Sequence, residues 1–411
     1  MKDKSSVKVA FLGQVAPFEP EFYNEPGYGR PGSLAQLGFI EALHNTEMGL
    51  DCAWGFRPIA HWPKTKIQFE WIRRLSLPCG AKLALLPLFN HFFLREFTRF
   101  FIIAWTLIYW SLIRFGKRRI LVVYNLTHPN GAVWLRLMTW LTHTKLVPII
   151  YDMARMEMYG KSLLFRLLEP DWLDRLHEKL IPYCDGLLPI TDAIPHDFAP
   201  KIKYLRVDGG VGEAVIADLP PLTVAESEYF TIFYAGGITP WNRIDILLEY
   251  MKRNSDPKLR LWLAGGGRQE QMARDAAEKD SRITFFGFLG PEKLNELYGK
   301  ADVLVTLRDL TDPGLKYHYP SKTFEMLAMG KPLIITNSQH TKEMYGEYCR
   351  VIDKCDVDSY GEAVSYFRNM PPSERLEYGK RARQYILENR RWCKWGPAIG
   401  RYLADMVATN H

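Results

Sequence analysis

Short apolar runs rich in β-branched residues recur along the chain, and between them the apolar positions fall at helical spacing. The alternation is most regular in the second half. There FTIFYAGG, LRLWLAGGG, ITFFGF, DVLVTL and PLIIT read as five strands, each followed by a polar or helical connection. Strands alternating with helices predict a parallel, doubly wound α/β sheet. The first half repeats the pattern more loosely, with strands expected at 7–12, 120–124, 147–151, 186–190 and 204–207 and helices at 33–43 and 163–183. The acidic, proline-containing segment 213–228 breaks the periodicity and reads as a linker. It divides the chain into two Rossmann-like domains, 1–212 and 229–385. A tail over 386–411, carrying Trp392, Trp395 and Tyr402, is expected to pack back on the first.

One helix in this pattern carries chemistry. After Pro320, Ser321 can cap it, Gly330 supplies a left-handed end, and Pro332 prevents continuation into the next strand. Phe324, Leu327 and Ala328 share the core face, while Ser321, Lys322 and Glu325 lie three and four apart on another. Glu325 is the only acid of the helix, and it is not a capping-box residue, because Phe324 occupies that position. Taken alone, a Glu325–Lys322 pair would be an ordinary surface contact.

Glycines gather at the predicted strand ends: Gly236-Gly237, Gly265-Gly266-Gly267, Gly287 and Gly314 in the second half, and Gly27, Gly29 and Gly32 after the first strand. The C-terminal edge of a parallel sheet is where such folds hold ligands, and backbone amides there favour anions. In the first domain, loops after two strands bring His128, Asp152 and Glu157 toward that edge. No GxGxxG follows the first strand, which disfavours a dehydrogenase.

Residues 75–119 stand apart. Phe89, Phe92, Phe93, Phe97, Phe100, Phe101, Trp105, Tyr109, Trp110 and Phe115 are interleaved with Arg95, Arg99, Arg114, Lys117, Arg118 and Arg119. Apolar area beside cations suits an interfacial helix on an anionic membrane surface; the alternative is a buried helix with a basic end. The stretch is too apolar for a nucleic-acid groove. The longest uncharged run, 100–113, stops at about 14 residues, short of the roughly 18 to 20 of a spanning helix, so peripheral attachment is expected.

Composition adds little beyond size. The 411 residues, 47 % of them hydrophobic, suffice for two cores, and 53 basic against 46 acidic residues give a net charge of +7. Six cysteines without CxxC spacing suggest neither zinc nor a disulfide framework, and fit a reducing compartment. The apolar run at the N-terminus is too short for a secretory signal. Together these lead us to expect the protein on the cytoplasmic face of a membrane.

YAGGITPWNRIDILLEYM, LAGGGRQEQM, ITFFGFLGPEKLNELYGKADVLVTL and YPSKTFEMLAMGKPLIIT, in this order and spacing, resemble the donor half of GT-B glycosyltransferases of the retaining family-four, group 1 type. VYNLTHPNG, IIYDMARMEMYGKS, LHEKLIPYCDGLLPIT and RVDGGV are similar to its acceptor-domain landmarks. The resemblance implies two domains facing a central cleft, and sugar transfer from a UDP- or GDP-linked donor to a lipid-linked or membrane-proximal glycan, without a metal or other cofactor. It implies that Glu325 binds the ribose hydroxyls, that Ser321, Lys322 and Thr323 place amides near the diphosphate, and that Gly236 approaches the leaving phosphates. Gly266 and the backbone around Phe288 would lie near the nucleotide. Gly29 and Gly32 would belong to an acceptor or phosphate loop, and His128 matches a histidine near the sugar. Asp152 is the candidate base should transfer proceed with inversion.

Two departures are specific. The family's arginine and lysine in the loop after its first donor-domain strand are here Gly237 and Asn242, with Arg243 as the neighbouring cation. The acid eight residues before the ribose glutamate is here Tyr317. Two other functions share this fold: a catalytically silent membrane or partner-binding scaffold, and a sugar-nucleotide epimerase.

Overall fold

The computed structural model describes residues 7–17, 19–27, 29–91, 94–125, 129–151, 153, 178–224, 227–319, 322–338 and 340–408. They form two compact units, one made of Met1–Ala214, Tyr317–Tyr319 and Arg391–His411 and the other of Val215–Lys316 and Pro320–Arg390.

The first unit is built on a sheet of seven strands: β1 (Val7–Gly13), β2 (Cys52–Gly55), β4 (Arg73–Ser76), β5 (Lys82–Leu85), β7 (Arg118–Tyr124), β8 (Thr144–Ile150) and β9 (Leu188–Pro189). Between them in sequence, β3 (Phe69–Glu70) and β6 (Leu88–Phe89) form a separate antiparallel pair. The order across the large sheet is β4-β5-β2-β1-β7-β8-β9. Except for the antiparallel β4, all neighbours in it are parallel. β1 sits at its centre because Val9, Ala10 and Phe11 are fully buried, as a strand covered on both faces requires. The strand expected at 204–207 is reduced to a bridge between Leu187 and Tyr204, followed by bonds from Leu205 N to Leu187 O and from Val207 N to Pro189 O.

Three helices of this unit shape its ligand edge and its surface: α1 (Arg30–His44), α2 (Leu94–Ile113) and α3 (Pro129–Leu141). α2 is long and apolar enough to cross a membrane by length and composition. Yet Arg95, Arg99, Ile103, Leu107 and Trp110 form one buried stripe along it, because residues three and four apart share a helix face. The stripe packs inward, with the Trp110 and Trp54 rings edge to face at 5.6 Å. α3 lies beside α2: Trp134 Nε1 donates to the Phe100 carbonyl at 2.9 Å. The chain from Arg391 docks on this unit. Trp392 packs on Phe39, and the Tyr402 hydroxyl accepts from Leu187 N and donates to Lys203 O.

The second unit carries a six-stranded parallel sheet. Its strands are β10 (Phe230–Ala235), β11 (Leu259–Ala264), β12 (Ile283–Phe285), β13 (Val303–Thr306), β14 (Leu333–Thr336) and β15 (Arg350–Ile352), in the order β12-β11-β10-β13-β14-β15. Five are the predicted ones, and β15 is a short edge strand that the apolar pattern does not announce. The unit's helices include α4 (Ile244–Arg253), α5 (Glu270–Lys279), α6 (Pro291–Lys300), α7 (Lys322–Ala328), α8 (Val357–Asn369) and α9 (Pro372–Asn389). The segment read as a linker divides between the units. Glu213 pairs with Arg391 in the first, while the Thr223 carbonyl accepts from Lys331 in the second.

Each sheet reverses its strand order once at its centre. In the first unit β1 has β2 on one side and β7 on the other; in the second, β10 has β11 on one side and β13 on the other. The crevice at the C-terminal strand ends beside such a reversal is where open α/β sheets hold ligands.

Candidate functional site

In the second unit the strand-end loops are laced together through glycines. Gly236 N donates to Ala264 O at 2.9 Å, Gly265 N to Gly287 O at 2.7 Å, and Ile238 N to Gly266 O at 2.9 Å. Gly265 and Gly267 have φ of +124° and +148°, and a Cβ on either would collide with the carbonyl of Gly236 or Ile238. The glycines predicted from sequence therefore have a physical reason: only backbone without side chains can pack loop on loop here. Gly237 and Gly266 border the same loops. Phe288 follows the left-handed Gly287 and is 86 % exposed, so its ring stands at this edge without a covering side chain.

α7 delivers its side chains to the same edge. Five of its seven residues are buried, among them Thr323, whose hydroxyl has no hydrogen-bond partner among the described residues. Lys322 and Glu325 are the two partly exposed side chains, one helical turn apart. Lys322 Nζ lies 3.5 Å from the Ala235 carbonyl, at the end of β10. Ser321 lies outside the described residues.

Arg243, the cation beside Asn242 in the loop after β10, stands at the start of α4. Arg243 adopts φ +49° and turns its guanidinium onto the Asp245 carboxylate, at 2.9 to 3.2 Å. Its charge is engaged by the acid in the first turn of α4. Asn242 instead ties the loop down, donating to Gly237 O at 2.6 Å and accepting from Arg308 Nη1 at 2.6 Å. The Tyr234 hydroxyl donates to the same Gly237 carbonyl at 2.7 Å. Burial pushes that phenol well above its ordinary pKa, against the opposing charge of Arg308. Sequence reasoning misses both Arg308 and Tyr234. The available signal is position: Arg308 follows DVLVTL directly, at a strand end of a parallel sheet.

In the first unit a cavity of about 290 Å³ opens at the β1/β7 reversal, lined by Gly13, Gln14, Gly29, Gly32, Gln36, Glu96, Arg99, Phe100, Tyr124 and Asn125, among others. Gly29 and Gly32 leave open space where a Cβ would stand. Arg99 donates to Glu96 at 2.8 Å, and the Gln14 side-chain oxygen, turned toward it, accepts at 2.9 Å. Burial lowers the Arg99 pKa and the Glu96 carboxylate opposes this. Gln36 Nε2 donates to Gln14 O and Gly32 O, while its buried Oε1 has no partner among the described residues. An ion pair and two carboxamides against apolar walls can bind a hydroxylated ligand with an apolar side. His128, Asp152 and Glu157 lie outside the described residues. Among the described residues no three His, Cys, Asp or Glu side chains are grouped to hold a metal ion.

The basic residues expected to face a membrane are mostly engaged within the unit. Arg95 is buried and donates to Ile59 O and Asn90 Oδ1, with its pKa pushed down to about 10 by burial and by neighbouring Arg99. Arg114 binds Asp51, Arg118 donates to Val407 O, and Arg119 donates to Arg114 O and Thr142 O. This corrects the expectation for Arg95 and Arg99, whose helical spacing with Ile103 and Leu107 turns them inward. What α2 exposes is apolar: Phe97, Phe101 (72 %), Trp105 (70 %), Tyr109 and Leu112, continued on α3 by Leu137 and Trp140 (64 %). Lys117 remains exposed just beyond the helix end.

Residues 220–385 match the family model for glycosyl transferases group 1. No curated protein sequence matches significantly. Among solved structures, the sucrose-phosphate synthase of Thermosynechococcus elongatus is similar with a TM-score of 0.64 and 14 % identity, over 98 % of this chain and 100 % of that one. Anabaena HepE in complex with UDP is similar with a TM-score of 0.63 and 12 % identity, over 97 % and 100 % of the two chains. WaaG, a glycosyltransferase involved in lipopolysaccharide biosynthesis, has a TM-score of 0.59 and 14 % identity, over 98 % and 100 %. The chain therefore shares the GT-B fold of these structures along nearly its whole length, and its residues 220–385, which include the strand-end site, match the group 1 glycosyl transferase model.

Proposed function

We propose that the protein transfers a sugar, with retention, from a UDP- or GDP-linked donor to a lipid-linked or membrane-proximal glycan, as a step of polysaccharide or glycolipid assembly. The observation that carries the donor assignment is the pair Lys322 and Glu325, the two partly exposed side chains of α7, set at the edge where Gly236, Gly237 and Gly265 bare their backbone. A carboxylate there accepts from both ribose hydroxyls, and such charge-assisted bonds are the strong ones. As the bond between the sugar's anomeric carbon and the diphosphate breaks, negative charge grows on the leaving phosphate. Cations and amides fixed before the reaction stabilise it without reorganising. The acceptor oxygen then bonds to the anomeric carbon and its proton passes to the departing phosphate, so that retention needs no separate base.

The first unit's cavity suits the acceptor, its carboxamides and the Glu96–Arg99 pair meeting hydroxyls while Phe100 and Ile103 meet an apolar moiety. Phe100 and Ile103 belong to the helix whose other face exposes Phe101 and Trp105. Laid in a membrane interface, that face would keep the cavity close to a lipid-borne acceptor. Attachment is then peripheral, on the cytoplasmic side. UDP binding by HepE makes UDP the first nucleotide to try.

Glu325→Gln tests the donor assignment. The variant should fold as the parent does, bind UDP or GDP more weakly by about tenfold or more, and lose transfer to the same extent. Unchanged nucleotide affinity would reject Glu325 as the ribose ligand.

A further inference from the structure

We infer that Arg308 and Lys322 together hold the donor's diphosphate, taking the place of the two cations that the Gly236–Asn242 loop lacks. The inference rests on the nucleotide-sugar reading of this site.

Both side chains reach the same turn from different elements. β10 pairs with β13 in the register Ile232↔Val303 and Phe233↔Leu304, so the turn after β10 and the residues after β13 flank the crevice at the strand-order reversal. Arg308 N donates to the buried Thr336 hydroxyl at 3.0 Å, which fixes the end of β13 against β14. From that anchor its Nη1 donates to Asn242 Oδ1, and Asn242 Nδ2 holds Gly237 O. The asparagine that replaces a family cation thus orients a cation from the neighbouring strand. Lys322 comes from the other side. Its Nζ lies 3.3 Å from where a Cβ on Gly236 would stand, and the Tyr234 hydroxyl lies 2.7 Å from the same point. A side chain at Gly236 would meet the Tyr234 hydroxyl first and crowd that ammonium as well.

Arg243, adjacent in sequence to the missing position, is the natural alternative. Its three bonds to Asp245 turn it to the start of α4, where the acid in the first turn already complements the helix. The arrangement therefore moves the diphosphate's counter-charge from one loop to two rigid attachments, a strand end and a helix. Cations so held are preorganised for the charge that develops on the leaving phosphate.

The test compares UDP, GDP and the matching nucleoside monophosphates by titration calorimetry on the parent and on Arg308→Gln, Lys322→Met and Arg243→Gln. Arg308→Gln and Lys322→Met should each weaken diphosphate binding by about tenfold or more, as loss of a charged hydrogen bond does. Monophosphate affinity should fall less, and the salt dependence of diphosphate binding should become shallower. Arg308→Lys, which keeps the charge, should recover part of the loss, separating a charge effect from misfolding. Arg243→Gln should bind like the parent. Diphosphate affinity unchanged in both Arg308→Gln and Lys322→Met, or lost only in Arg243→Gln, overturns the inference while leaving the nucleotide-sugar reading intact. A parent that binds no nucleoside diphosphate removes that reading, and the inference with it.

Discussion

The carbonyl oxygen of Gly236 occupies the space a side chain on Gly265 would need: a Cβ there would come within 1.8 Å of it. Since φ at Gly265 is +124°, alanine would be strained even with room available. Gly265→Ala should therefore push the β10 and β11 loops apart and lower the stability of the second unit by about 2–4 kcal/mol. Urea unfolding followed by tryptophan fluorescence reads the cost, and nucleotide titration of the still-folded fraction reads the damage to the site. A variant as stable as the parent would mean that the two loops do not pack this closely.

Asp51 joins the end of α2 to the start of β2. Its carboxylate accepts from Trp110 Nε1 at 2.8 Å and from Arg114 Nε and Nη2, both at 2.9 Å. Burial is the largest single influence on Asp51 and raises its pKa. The bonds from Arg114 and Trp110 and the charges of Arg114 and Lys8 together outweigh it, so the group titrates below the ordinary aspartate value of 3.8. A carboxyl with a depressed folded-state pKa contributes stability that is complete above its unfolded value and is lost as pH falls through the folded one. The first unit should thus lose stability as pH drops below about 4. Asp51→Asn should flatten that acid limb and cost about 1–2 kcal/mol at neutral pH, a low value because Arg114 is partly exposed. Denaturant unfolding of both proteins between acid and neutral pH checks the sign.

The exposed face of α2 and α3 makes the mode of membrane attachment testable. With Arg95 and Arg99 buried, contact would rest on Phe101, Trp105 and Trp140 more than on charge. Each such ring removed from water is worth about 1.5–3 kcal/mol when fully buried, less at an interface. Sedimentation with neutral vesicles should persist at high salt, and the triple change Phe101→Ser, Trp105→Ser, Trp140→Ser should weaken it at least about tenfold. Loss on Lys117→Ser and Arg118→Ser alone, with the triple variant still bound, would reverse this ranking.

The second unit was legible because its strands are buried on both faces, so FTIFYA and LIIT appear as unbroken apolar runs, and because loop-on-loop packing demands glycine at 265 and 267. β4, with sequence RRLS, was not, since an edge strand with one partner needs no apolar pattern. The inward turn of Arg95 and Arg99 was available from their four-residue spacing to Ile103 and Leu107, but composition drew attention to charge in place of phase. Arg308 was legible as a position and not as a function, because its partner Asn242 lies 66 residues away. The first unit's cavity is assembled from β1, α1, α2 and β7, and no local pattern reports such a meeting.

Where the chain from Arg391 meets the rest of the first unit, one tryptophan is seated on a glycine. A Cβ on Gly38 would lie 2.2 Å from the Trp392 indole, whose ring packs on Phe39 with centroids 4.8 Å apart. Trp392 N donates to Val211 O at 3.1 Å, and the Trp395 indole Nε1 donates to Gly209 O at 2.9 Å, so one backbone bond and one side-chain bond fix the register of the seat. Trp392 is 3 % exposed, and Trp392→Ala should cost about 3–5 kcal/mol as a large-to-small change in a core. Gly38→Ala should also destabilise, by overpacking the same space, at about 1–3 kcal/mol. If the contact is the cause of both losses, they will not add. Gly38→Ala combined with Trp392→Ala should be less destabilised than the sum of the single changes, because the added methyl occupies volume that the smaller side chain vacates. Strict additivity in a double-mutant cycle of unfolding free energies would separate the two residues and place the anchor of the C-terminal segment elsewhere.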